Sequence, residues 1–96
     1  MRLKARTDEN HAEIVRAFRS VPSVKVHDTS RVGGGFPDII VFQQRPDGHQ
    51  IHLVEIKDGK KPPSKQKLTK EQIDFHAVWP CYVVTCVEDV WAVLGI

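Results

Sequence analysis

Three residues have the types and the spacing to do chemistry together: Asp38, which follows Pro37, and Glu55 and Lys57, which flank Ile56. Two carboxylates with few other donors form the ligand set expected for a hard, oxygen-loving cation such as Mg2+ or Mn2+. Without a cation the two would repel, and one would tend to keep a proton. A metal held there would polarise a phosphate and lower the pKa of a bound water, giving a nucleophile near neutral pH. Lys57 carries the right charge to orient that water or to offset negative charge developing on the phosphate. A general-base role for Lys57, its pKa lowered beside a cation, is the second option. Such a site would suit phosphodiester hydrolysis.

These residues can act together only if the chain brings them together. Asp38–Gln43 (DIIVFQ) is strongly β-prone, Arg45-Pro46-Asp47-Gly48 is a turn signal, and Ile51–Lys57 (IHLVEIK) returns as a second strand, so the segment reads as a hairpin. Side chains alternate along a strand, which puts Glu55 and Lys57 on one face and Ile56 on the other. Asp38 stands about as far before the turn as Lys57 stands after it. The start of the first strand therefore lies beside the end of the second, where Asp38 and Glu55 can converge. Gly33-Gly34-Gly35 just upstream costs backbone entropy, and is most useful where the chain turns tightly or approaches another segment closely.

The remaining elements frame this hairpin. Residues 8–20 have Ile14, Ala17, Phe18 and Val21 at helical spacing, with Thr7 or Asp8 as N-cap and Pro22 at the exit. Ser23–Asp28 alternates as a short strand with Val24 and Val26 inward. The Lys- and Pro-rich stretch 58–67 is a loop, because Pro62-Pro63 excludes helix. Thr69 opens a helix (TKEQIDFHAVW) in which Thr69 and Gln72 form a capping box. Cys81–Cys86 (CYVVTC) reads as a buried strand, and Glu88–Leu94 as a short closing helix. The order α-β-β-β-α-β-α, without repeats or a domain boundary, predicts one α/β domain over residues 1–96 with a mixed sheet flanked by helices.

Composition agrees with a small globular domain: 41% hydrophobic and 27% charged residues. No apolar run approaches membrane-spanning length and the N-terminus has no signal-like apolar region, so a cytoplasmic protein with no membrane partner is expected. Cys81 and Cys86 lack metal-ligand spacing and, five apart in a strand, would point to opposite faces, so both read as reduced thiols. The net charge of +2 is unevenly spread: Lys57–Lys70 holds six lysines against Asp58 alone, leaving the rest of the chain acidic. Such a run is either a solvated loop or a phosphate-binding edge, and its departure from Lys57 favours the latter for Lys60, Lys61, Lys65 and Lys67.

Gly33-Gly34-Gly35-Phe36-Pro37-Asp38, Glu55-Ile56-Lys57-Asp58-Gly59 and Leu68-Thr69-x-x-Gln72-x-x-x-His76 resemble the PD-(D/E)XK nuclease superfamily. More closely, they resemble its VRR-NUC (virus-type replication-repair nuclease) branch, in the small stand-alone form found in phages and bacteria. The likeness runs from the Asn10–Val15 segment to the last strand. It implies a restriction-endonuclease-like αβββαβ core and metal-dependent endonuclease activity on DNA, often branched or structured, with Holliday-junction resolvases as relatives. It also implies Asp38 and Glu55 as metal ligands, Lys57 as the catalytic lysine and the Ile56 carbonyl as a further ligand.

The resemblance also implies an acidic residue on the first helix, directed at the metal. Glu13 is the choice on helical spacing, with Asn10 and Glu9 as rivals. Gln72 is either catalytic or only a helix cap. His76, one turn on, reads as an ordinary helix histidine, and His11, His27, His49 and His52 show no ligand spacing. A domain this small has little surface for gripping a duplex, and together with analogy to the family this leads to the expectation of a homodimer. The rival to catalysis is a DNA-structure-binding module that keeps the fold and needs a partner for activity.

Overall fold

A computed structural model describes residues 8–96. The elements run α1 (His11–Arg19), β1 (Val24–Asp28), β2 (Ile39–Arg45), β3 (Gly48–Ile56), a 3-10 turn at Pro63–Lys65, α2 (Lys70–Val78), β4 (Cys81–Val84) and α3 (Val87–Leu94). One four-stranded sheet has the order β1-β2-β3-β4. The first two pairings are antiparallel and the last, β3 with β4, is parallel. This is the mixed α/β sheet with helices that the element order implied.

One face of the sheet holds the core. Val24, Ile39, Val41, Val54, Ile56 and Val84 are buried on it beneath Ile14, Val15 and Phe18 of α1 and Val90 and Leu94 of α3. Fully burying each such side chain is worth roughly 1.5–3 kcal/mol. Period-two alternation then turns Asp38, Ile40 and Phe42 of one strand, and Leu53, Glu55 and Lys57 of the next, to the opposite face. There α2 lies across part of the sheet and has no buried residue of its own.

Several boundaries differ from the sequence expectation, each for a physical reason. Helix α1 starts at His11 rather than residue 8, and its N-cap Asn10 makes no side-chain capping bond. The Asp8 carboxylate is engaged elsewhere, accepting the Asp58 backbone N–H at 2.8 Å; the other cap candidate, Thr7, lies outside the described residues. Pro62-Pro63 does not exclude helix altogether. Pro63 opens a one-turn 3-10 helix, where its missing N–H is not needed. Strand β4 stops at Val84, two residues early, because the Thr85 N–H and Oγ1 both donate to the Asp89 carboxylate (2.9 and 3.1 Å). Cys86 thereby becomes the N-cap of α3. The opposite-faces argument for the cysteines therefore fails, although both thiols are free. Nor is β4 a buried strand: it forms the rim of the sheet, with Tyr82 and Val83 47% and 41% exposed.

Among the described residues, no helix is long and apolar enough to cross a membrane.

Candidate active site

The hairpin register sets the geometry. Ile39 pairs with Val54, so Asp38 stands one step further along, opposite Glu55. The Thr29 N–H donates to the Asp38 carbonyl at 2.8 Å, which turns the Asp38 backbone away from β3. Asp38 and Glu55 therefore form a non-hydrogen-bonded cross-strand pair, the arrangement in which opposed side chains come closest. The Ile56 N–H donates to Asp38 Oδ2 at 2.8 Å. A strand residue presents its N–H and C=O on the same edge, so the Ile56 carbonyl also faces Asp38.

Glu55 is 3% exposed. Its Oε2 accepts from Gln72 Nε2 at 3.0 Å and lies 3.7 Å from Lys57 Nζ. Its Oε1 is buried without a partner. Burial raises the Glu55 pKa first, the neighbouring Asp38 charge and hydrogen bonding to Asp38 add to it, and Asp8 contributes further. Lys57 offsets only part, and the group is pushed up to about 8. A carboxyl pressed against a second carboxylate, with one oxygen unpartnered, has the donor chemistry that a divalent cation completes. Asp38, Glu55 and the Ile56 carbonyl are the atoms that would hold it. Among the described residues, no group of three or more His, Cys, Asp and Glu side chains is arranged to bind a metal.

Gln72 joins these parts. Its Oε1 accepts both the Thr69 backbone N–H (2.9 Å) and Lys57 Nζ (3.0 Å), while its amide nitrogen serves Glu55. The Gln72 N–H donates to Thr69 Oγ1 at 3.2 Å, completing the capping box. The cap and the site contact, alternatives in the sequence, are one arrangement in the fold. Gly35 sets how closely the glycine loop meets this turn. It has φ +84°, and a Cβ there would lie 2.6 Å from the Glu71 carbonyl carbon and 3.0 Å from the Gln72 nitrogen. His76 is half-buried beside Lys57, and its pKa is lowered by burial and then by that charge.

The first helix contributes differently from expectation. Glu13 is exposed and lines a depression of about 410 Å3 with Asn10, Asp58, Gly59, Lys60 and Thr85 among others. Asn10 reaches the site strands, donating from Nδ2 to the carbonyls of Lys57 (3.1 Å) and Thr85 (3.2 Å). Asp8 is the acid ahead of α1 whose charge is felt at Glu55. It was legible only as a possible cap; nothing in its spacing marks a partner fifty residues away. Glu9, 84% exposed, stands 3.9 Å from Lys61. Lys60 caps its own turn through its N–H to Asp58 Oδ1 (3.0 Å), and Lys60, Lys65 and Lys67 are exposed along the loop. Comparison of the chain with protein-family models, with curated proteins and with solved structures finds no match.

Proposed function

We propose that this chain is a Mg2+- or Mn2+-dependent endonuclease that hydrolyses DNA phosphodiesters, in the manner of the PD-(D/E)XK superfamily and its VRR-NUC branch. Branched or structured DNA, such as a Holliday junction, is the substrate class that the resemblance suggests. The observation that carries the reading is the opposed Asp38–Glu55 pair with Glu55 Oε1 buried and unpartnered. That arrangement is costly in a protein with no use for a cation. The αβββαβ order and the glycine loop leading to Asp38 are compatible with the restriction-endonuclease-like core, and Lys57 Nζ lies within 3.7 Å of Glu55.

A bound divalent cation would polarise the scissile phosphate and lower the pKa of water in its shell. Asp38 and Glu55 supply the charge that binds it, and the Ile56 carbonyl a neutral oxygen. Gln72 Oε1 holds the Lys57 ammonium toward Glu55, which fixes its position without neutralising it. From there Lys57 Nζ can donate a hydrogen bond to the attacking water or to a non-bridging phosphate oxygen, where it opposes the charge that builds in the transition state. Lys60, Lys61, Lys65 and Lys67 offer replaceable contacts to flanking phosphates.

The test compares wild type with Glu55→Ala and Lys57→Ala on plasmid, junction and flap DNA with Mn2+ or Mg2+. The expected result is metal-dependent cutting that falls at least about 100-fold in each variant. Equal cutting by all three would remove the assignment. Tight, structure-selective binding without cutting under either metal would establish the binding module instead.

A further inference from the structure

Three aromatic rings form a ladder that starts beside the site and ends in solvent. Phe36 lies two residues before Asp38, and its ring meets that of Phe75 edge-on with centroids 5.3 Å apart. Phe75 in turn stacks on Trp79, with centroids 5.9 Å apart and planes 22° from parallel. Trp79 closes α2: its N–H donates to the Phe75 carbonyl at 2.9 Å, so helical spacing holds to that residue. Gln72, Phe75, His76 and Trp79 therefore share one stripe of α2, and Gln72 at its head bonds both Glu55 and Lys57. Trp79 is nonetheless 54% exposed. With one face of the indole held by Phe75, the exposed half of the side chain presents the other.

The surroundings of Trp79 suit a planar ligand better than a protein. The other exposed apolar side chains point elsewhere. Ile73 and Val78 lie about 120° and about 100° around α2 from Trp79, and Tyr82 and Val83 alternate to opposite faces of β4. Among the described residues they make no continuous patch of the few hundred Å2 that marks a protein contact. From Phe75 to Val87 the chain has no carboxylate, so no charge on that segment repels a phosphate backbone. An open ring beside such a segment suits single-stranded nucleic acid, whose unpaired bases have a π-face to stack, whereas a duplex keeps its bases enclosed. We propose that Trp79 is a stacking platform for an unpaired base of the DNA strand that passes the site, so that the preferred substrate is unpaired on one side of the cut. This role rests on the nuclease reading and names which substrates the site takes. Trp79 lies seven residues beyond Gln72, which is about 10 Å at ~1.5 Å per residue. At about 3.4 Å per stacked nucleotide, the base it holds is about three positions from the scissile phosphate.

Binding in Ca2+ tests the platform without cutting. A labelled hairpin duplex carries a short unpaired tail at its 5′ or 3′ end, and is compared with the blunt hairpin and with the tailed hairpin made abasic along its tail. Wild type should prefer the intact tail over both. Trp79→Ala should lower that preference about 5- to 150-fold, the worth of one base stacked on an aromatic ring, and Trp79→Phe should restore most of it. Loss of folding would weaken binding of every probe alike, and thermal melts of each variant check for it. The indole itself gives a second readout. In a Trp91→Phe background, where Trp79 is the one tryptophan left, its fluorescence should be quenched by the intact tail and not by the abasic one. Absence of the preference in wild type, a preference unchanged in Trp79→Ala, or quenching no greater with the intact tail overturns the platform, while metal-dependent cutting would still support the nuclease reading. A wild type that binds none of the hairpins overturns both.

Discussion

Glu55 concentrates the electrostatic cost of the site in one carboxyl. Burial and the Asp38 charge hold its proton in the folded chain to about pH 8, whereas an unfolded carboxyl releases it near 4.5. Between those values the folded state binds more protons than the unfolded state, so this group's contribution to stability is lost as pH rises from about 4.5 to about 8. His52 and His76, both lowered by burial, act in the opposite sense as pH rises through the usual histidine range. The prediction is therefore a difference measurement. In EDTA, Glu55→Gln should be more stable than wild type at pH 8 by on the order of 1–3 kcal/mol, and about equal to it near pH 4.5, by urea denaturation. Adding Mn2+ should raise the wild-type midpoint at pH 8 and leave Glu55→Gln nearly unmoved. A wild-type advantage at pH 8 without metal would contradict the electrostatics described. Asp38, Glu55 and Lys57 were legible in the sequence because strand alternation and hairpin spacing are local rules. Asn10 entered only as a rival to Glu13 and Asp8 only as a cap, and their actual partners were not legible, since these lie 47 to 75 residues away.

At the level of elements, α2 is held over the sheet mainly by polar and close backbone contacts. It has no buried residue, and its attachment rests on Gln72, on the Gly35 approach and on the Phe36–Phe75 ring pair with centroids 5.3 Å apart. The capping box could be read from Thr69 and Gln72 because it is a fixed three-residue spacing. That the same glutamine also holds Lys57 and Glu55 could not, because no periodic apolar stripe told which side of α2 meets the sheet. A side chain at Gly35 must push the Glu71–Gln72 backbone away and is strained at positive φ. Gly35→Ala should accordingly lower metal-dependent cutting about 10-fold or more while α1, α3 and the core stay packed, and stability should fall by about 1–2 kcal/mol. Gln72→Ala should lower cutting similarly and cost about 1 kcal/mol through the cap. Cutting assays alongside thermal melts separate the two effects. Normal activity in both variants would show that α2 does not position Lys57.

Across the whole molecule, the two faces of the sheet do different work. One is closed by α1 and α3 over the apolar core, and the other carries Asp38, Glu55 and Lys57 under a loosely attached helix. Hydrophobic periodicity identified the first face correctly, but it could not distinguish an apolar strand in the core from one at a rim, which is why β4 read as buried. Charge was legible as a run but not as a surface. In the fold the loop leaves the end of β3 at Lys57, so under the proposed function its lysines would meet the DNA backbone on either side of a phosphate held at Asp38 and Glu55. If each contacts a phosphate, removing it releases one fewer counterion, and the slope of log K against log salt should flatten by about 0.7–0.9 per lysine. Replacing Lys60, Lys61, Lys65 and Lys67 singly and together by alanine, with binding followed by anisotropy in Ca2+, should give roughly additive losses. Lys61 should show the smallest, because it already stands beside Glu9. A slope unchanged in the fourfold variant would place the DNA path on another surface.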